Sequence, residues 1–166
     1  MVGAVSNARA DGPAGARLRA LTSADLDRVQ AIEEASQVTP WSPGNFRDCL
    51  RSGYRCQVAT VDGVPVAFMI LSSVLDECHL LNIAVAPAWQ RRGLARWMLR
   101  RALAAAEAED MSVMFLEVRA GNHGAQRLYR ELGFEETGRR KGYYRTRAEA
   151  REDAVLMMVE IAGCHK

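Results

Sequence analysis

Residues 81–99, LNIAVAPAWQRRGLARWML, constrain this chain more than any other stretch. A strand-like apolar run ends at Pro87, and a basic turn holding Gly93 opens at once into an amphipathic helix. Free amide groups at a helix start point outward, and the helix dipole adds partial positive charge. Gly93 has no side chain to block close backbone approach, Ala95 hardly intrudes, and Arg91 and Arg92 add cationic charge. Such a turn suits an anion, and a pyrophosphate in particular. A plain surface loop with a helix-starting glycine fits the same residues, because short glycine motifs recur widely.

The rest of the chain narrows the choice. Its 166 residues suffice for one domain with a sizeable core. Net charge is only +2, which leaves little electrostatic case for nucleic acid. No apolar run is long enough to cross a membrane, and the first residues lack the apolar core of a secretory signal. Residues 1–16, rich in small residues, are expected to be a disordered leader, 17–162 a single domain, and 163–166 a tail. The cysteines at 49, 56, 78 and 164 lack the close spacing of a zinc or redox site, so free thiols in a cytoplasmic protein are expected. Cys164 and His165 could bind metal, but a frayed tail explains them as well.

Periodicity gives the element order. ARLRA reads as a strand, with a helix starting at Thr22 or Ser23 and Leu26, Val29, Ile32 and Ala35 on its inner face. Ser42-Pro43 starts a second helix through Leu50. Three strands follow, with a hairpin turn at Asp62-Gly63 and another near Leu75-Asp76. A helix is expected over 91–109, then SVMFLEVRA as a strand buried on both faces. Asn122 and Gly133 bound a short helix, and two strands close the chain. The order is β-α-α-β-β-β-α-β-α-β-β, an α/β (α+β) domain with helices flanking a central mixed, mostly antiparallel sheet.

That order and the segment NIAVAPAWQRRGLARWML…LEVRAGNHGAQRLYRELGF resemble the GNAT N-acetyltransferase superfamily. More narrowly, PWS at 40–42, NIAV at 82–85, LEVRAGN at 116–122, LYRELGF at 128–134, YY at 143–144 and REDA at 151–154 resemble the bacterial ribosomal-protein-alanine N-acetyltransferases. The resemblance covers about residues 17–162. It implies acetyl-CoA as cosubstrate, its pyrophosphate held by Arg91, Arg92, Gly93, Leu94, Ala95 and Arg96. It further implies that the backbone of Ile83, Ala84 and Val85 lines the pantetheine, that the Val85 amide holds the thioester oxygen, and that the Asn122 side chain contacts the cofactor. Gly121 departs from the family's usual serine, which is expected to loosen that turn.

Acetyl transfer to an amine needs a proton acceptor for nitrogen and a proton donor for the departing thiolate. Glu117 sits inside an apolar strand, where a carboxylate either faces a polar cleft or pairs with an arginine. The resemblance implies that it is the general base, acting through water, and that Tyr129 is the general acid. A core tyrosine explains Tyr129 equally from sequence. Tyr144 is expected to bind the substrate backbone, and Glu152 or Asp153 to attract a basic residue, with a paired surface as the alternative. Trp41 walls the groove or fills the core. None of the cysteines is needed, since the amine attacks the thioester directly.

An α-amine with a pKa near 7.7–8.0 is freed at neutral pH about 3–4 kcal/mol more cheaply than a lysine near 10.4. A carboxylate base therefore suits a protein N-terminus, and the resemblance implies the N-terminal alanine of ribosomal protein S18. A lysine or small-amine acetyltransferase, or a binding module that keeps the fold, are the alternatives. The Glu117 and Tyr129 pair argues against the last.

Overall fold

The computed structural model describes residues 11–146, 148 and 150–162. Cys164 and His165 lie outside them, as do residues 1–10 of the expected leader. The elements run β1 (Arg17–Ala20), α1 (Leu26–Ser36), α2 (Pro43–Arg51), β2 (Arg55–Val61), β3 (Val64–Val74), β4 (Glu77–Val85), α3 (Leu94–Ala108), β5 (Val113–Arg119), α4 (His123–Glu131), β6 (Glu135–Arg145) and β7 (Arg151–Glu160). This is the order read from the sequence.

Local chemistry sets the boundaries. Ser42 caps α2 by accepting from the Asn45 amide at 3.3 Å, and Asn122 caps α4 by accepting from the Ala125 amide at 3.2 Å. Asp62 and Gly63 both take positive φ, 51° and 78°, as a tight hairpin with the strands' own twist requires. Gly133, at φ 97°, ends α4.

The seven strands lie in the order β1-β2-β3-β4-β5-β7-β6. Every neighbouring pair is antiparallel except β4 and β5. One core, on the face covered by α3 and α4, gathers Met69, Met98, Leu99, Met114, Leu116, Tyr129 and Phe134. The other packs Val29 and Ile32 of α1 and Phe46 of α2 onto Val58, Phe68, Ile70 and Ala84.

Three expectations need correction. Residues 11–16 are ordered into the domain: Pro13–Gly15 form a 3-10 turn, Ala16 is fully buried, and a Cβ on Gly12 would meet the Trp97 ring at 2.6 Å. The indole of α3 gives this small-residue stretch an apolar surface to lie on. On α1, Ala35 is exposed and Glu33 takes the inner position beside Ile32. Finally, α3 starts at Leu94, so Arg91, Arg92 and Gly93 belong to the turn before it.

Candidate active site

The sheet splits between its two parallel strands. β4 and β5 pair only from Glu77↔Val113 to Leu80↔Leu116, although both run on. Beyond that point β4 stays with β3 up to Ala67↔Val85, and β5 stays with β7 up to Arg119↔Ala154. A bulge marks the split: Ile70 pairs with Asn82 and Leu71 with Leu80, leaving Leu81 as the extra residue. A bulge bends its strand and re-aims the residues after it. Leu80 packs in the core under α3 and α4, whereas Ala84, four positions on, packs in the core under α1. The even-numbered residues have changed face, and Asn82 is turned to α1.

A cavity of about 140 Å³ opens at this split. Of the expected site residues, it brings together Ile83, Glu117, Asn122, Tyr129 and Tyr144. On β5 the burial alternates: Met114, Leu116 and Val118 are buried, while Phe115 and Glu117 are half-exposed. The expectation of a strand buried on both faces is thus corrected: β5 is covered on one face, and its other face is half-open. Glu117 stands on the open face, its Oε1 3.3 Å from Arg140 Nη2. Both readings of this carboxylate thus have a basis: it lines the cavity, and it has an arginine partner that is itself half exposed. Tyr129 comes from the other side, rooted in the α3/α4 core with its ring 5.8 Å from that of Phe134. Burial first, and then Tyr144, push its phenol up to about 12, so it keeps its proton at neutral pH. Burial, then Glu117 and Tyr143, push Tyr144 up to about 12 as well.

A second cavity of about 590 Å³ continues over the uncovered face of β5. Trp41, Glu117 and Tyr144 line both cavities, while His79, Phe115, Arg140 and Tyr143 line the second. Trp41 serves the wall and the core together, its ring 5.3 Å from Phe46.

The basic turn lies at the outer end of β4, tied to it where Gln90 Nε2 donates to the Val85 carbonyl at 3.0 Å. Arg91 and Gly93 both take positive φ, 61° and 81°. Gly93 is the N-cap of α3 and supplies no side-chain acceptor, so the first amides of the helix stay open. The nearest atom to a Cβ built on Gly93 is Pro13 Cγ at 3.7 Å. Arg91 and Arg92 are exposed, with Arg92 4.8 Å over the Trp89 ring, and Arg96 pairs with Glu131 of α4. Open amides, an unobstructed glycine and two exposed guanidiniums fit a pyrophosphate.

Residues 22–134 match the model of the acetyltransferase (GNAT) family. The chain belongs to that family. It is similar to the "[Ribosomal protein bS18]-alanine N-acetyltransferase" of Escherichia coli K12, 38% identical over 145 residues that make up 87% of this chain and 97% of the relative. The protein of that name from Haemophilus ducreyi is 35% identical over 84% of this chain and 97% of its own. The crystal structure of the ribosomal-protein-S18-alanine N-acetyltransferase from Escherichia coli superposes with a TM-score of 0.85, at 37% identity, covering 91% of this chain and 98% of that one.

Within this acetyltransferase two expected substrate contacts take another role. Glu152 and Asp153 line neither cavity. Glu152 accepts from the Gly121 amide at 2.6 Å and from Arg119 at 3.2 Å, and Asp153 accepts from the Gly142 amide at 2.9 Å. Their carboxylates hold β6 and the turn before α4 onto β7, which is the paired surface given as the alternative. Gly121 makes this possible, since a Cβ there would stand 2.6 Å from Glu152 Oε1. The glycine thus tightens this turn where it was expected to loosen it. Arg119, held by Glu152 and hydrogen-bonded to Thr39, lies 4.4 Å over the Tyr144 ring and fixes that wall of the cavity.

Sequence reasoning missed Glu33, Gln37, Asn82 and Arg119 in the cavity. Glu33 left a signal: it sits four residues after Val29 and next to Ile32, a carboxylate on the apolar face of its helix. Asn82 left none, because its direction depends on the bulge.

Proposed function

We propose that this acetyltransferase modifies the α-amine of a protein N-terminus, and that the N-terminal alanine of ribosomal protein bS18 is its substrate. The observation that carries the reading is the cavity at the sheet split, where Glu117, Tyr129 and Asn122 meet Ile83, on the strand that leads to the turn before α3. Two relatives that span most of the chain carry the name of that activity.

Bound acetyl-CoA supplies the acetyl thioester. The amides at the start of α3, from Leu94 to Arg96, with Arg91, Arg92 and Gly93, hold its pyrophosphate. The backbone of Ile83, Ala84 and Val85 lines its pantetheine arm, and the Val85 amide steadies the carbonyl oxygen. The Asn122 carbonyl is spent on the cap, which leaves its amide nitrogen free to donate. Glu117 accepts a proton from nitrogen through water. Tyr129, which holds its proton to about pH 12, gives one to the departing sulfur. Tyr144 steadies the substrate backbone. The cytoplasm suits the enzyme: Cys49, Cys56 and Cys78 are buried free thiols.

Mass spectrometry of peptides incubated with enzyme and acetyl-CoA tests the reading. An alanine-initiated peptide is expected to gain one acetyl group on its α-amine, while an N-blocked, lysine-containing peptide stays unmodified. Acetylation of the blocked peptide alone overturns it. Glu117→Gln is expected to lower the rate about 10²–10⁴-fold at neutral pH. That loss should shrink as pH rises and hydroxide takes the proton from nitrogen in its place.

A further inference from the structure

The cavity contains a second carboxylate, Glu33. It projects from the buried face of α1 and is 1% exposed, yet it lines the cavity that also holds Glu117 and Tyr129. Among the described residues no arginine, lysine or histidine forms an ion pair with it. It is held instead by neutral donors. Asn82 Nδ2 donates to Glu33 Oε2, and Gln37 Nε2 in turn donates to Asn82 Oδ1 at 3.4 Å and to the Ile83 carbonyl at 3.5 Å.

A buried carboxylate without a cation is costly, and one whose only exposure is to a reaction cavity invites a cationic visitor. The visitor at this site carries one. A substrate α-amine arrives largely as the ammonium ion, since at pH 6.5 only about 5% of such an amine is neutral. An ammonium nitrogen that ends as an amide sheds two protons in all. The first leaves to uncover the lone pair, and the second leaves once the C–N bond has formed and the C–S bond breaks. One proton is matched by that given to sulfur, and the other passes to solvent.

We infer that Glu33 receives the first of these protons, pairing with the arriving α-ammonium and taking its proton, while Glu117 receives the second. This rests on the α-amine reading above. The step is a proton transfer from nitrogen to a Glu33 carboxylate oxygen, and the acid then returns its proton to water after each turnover. Burial raises the Glu33 carboxyl to about 7, against the weaker opposing pull of Asn82 and Gln37. Its proton affinity then comes within about one pK unit of the amine's, so the exchange is nearly balanced.

The groups around it permit this. Glu117 and Arg119 of β5, Tyr129 of α4 and Tyr144 of β6 share the cavity. Cys49 of α2 and Cys56 of β2 lie in the apolar cluster under α1, their thiols raised by burial. Asp25, ahead of α1, is paired with Arg19, and Glu77 and His79 pair with each other at the far end of β4. β3 brings no titratable side chain.

The test is the pH profile of kcat/KM for an alanine-initiated peptide, with CoA binding by calorimetry as the check on folding. In the parent, the acid limb is expected near pH 7. Glu33→Gln, which preserves size and the Asn82 contact, is expected to move that limb up to the amine's own pKa near 8. It should lose about tenfold in kcat/KM at pH 6.5 through KM, with little loss at pH 9. A peptide whose first residue carries fluorine, and so a less basic amine, should restore Glu33→Gln at pH 6.5. Asn82→Ala removes a donor that favours the ionised form and should also move the limb upward. An acid limb unmoved in either variant overturns the inference. A parent enzyme that acetylates no α-amine overturns the earlier reading instead, so the two failures are distinct.

Discussion

The two ends of α1 each bury a carboxylate, and they treat it in opposite ways. Just before the helix, Asp25 is 6% exposed and accepts from both terminal guanidinium nitrogens of Arg19 at 2.7 Å and from the Thr22 amide at 2.9 Å. The Arg19 hydrogen bonds hold its carboxyl down at about 2. Near the other end, Glu33 is more deeply buried and has only neutral donors. The first carboxylate is fully partnered within the fold. The second has no cation beside it, and it is the one that lines the candidate cavity.

The widest gap between the two is in how stability depends on pH. Folded Glu33 keeps its proton up to about 7, whereas the unfolded carboxyl releases it near 4.3. Its contribution to stability is therefore complete below pH 4 and declines as pH rises through 7, by up to about 3 kcal/mol. Denaturant unfolding without ligand should show Glu33→Gln gaining that much on the parent between pH 4 and pH 8. A difference that does not change with pH would show that Glu33 is already charged and accommodated when the site is empty.

Asp25 acts with the opposite sign. Its folded carboxyl releases its proton at about 2 and the unfolded one near 3.9, so its contribution is present at neutral pH and is lost as pH falls from 4 through 2. Asp25→Asn is expected to cost about 1–2 kcal/mol at pH 7, discounted because Arg19 is 42% exposed and solvent screens the pair. That cost should vanish near pH 2 in the same unfolding measurement. Smallest of all is Thr22→Ala. It removes a hydroxyl donor 3.3 Å from Asp25, for about 0.5 kcal/mol, with no change between pH 5 and pH 8. A larger, pH-dependent loss would mean that Thr22, and not Arg19, sets the Asp25 carboxyl.

The contrast also explains which parts of the molecule could be read from sequence. Asp25 lies where an acidic residue after Thr22 marks a helix start, and Ser42-Pro43, Asp62-Gly63, Asn122 and Gly133 are equally local signals. Their reach is a few residues, so the element order and the glycine turn were legible. Glu117, Tyr129, Asn122 and Tyr144 were found because family motifs run through them. The remaining cavity residues depend on distant events. Asn82 meets Glu33 only because β4 bulges at Leu81, and Glu152 turns inward only because Gly121 lacks a side chain across the wall. The exposure of one face of β5 depends on what the rest of the chain lays over it, which a run of apolar residues does not encode.

The turn at Pro13 has a practical consequence. Gly12 lies on the Trp97 indole, and Pro13 lies beside Gly93, so the chain enters the domain within a few ångströms of the arginine turn. A purification tag or fluorophore joined directly to residue 11 is therefore attached beside the turn proposed to hold the pyrophosphate. The last strand ends elsewhere, where the Ile161 amide donates to the Ser112 carbonyl at the start of β5, the end of the sheet away from the split. Labels for binding or kinetic work on this enzyme belong at that end.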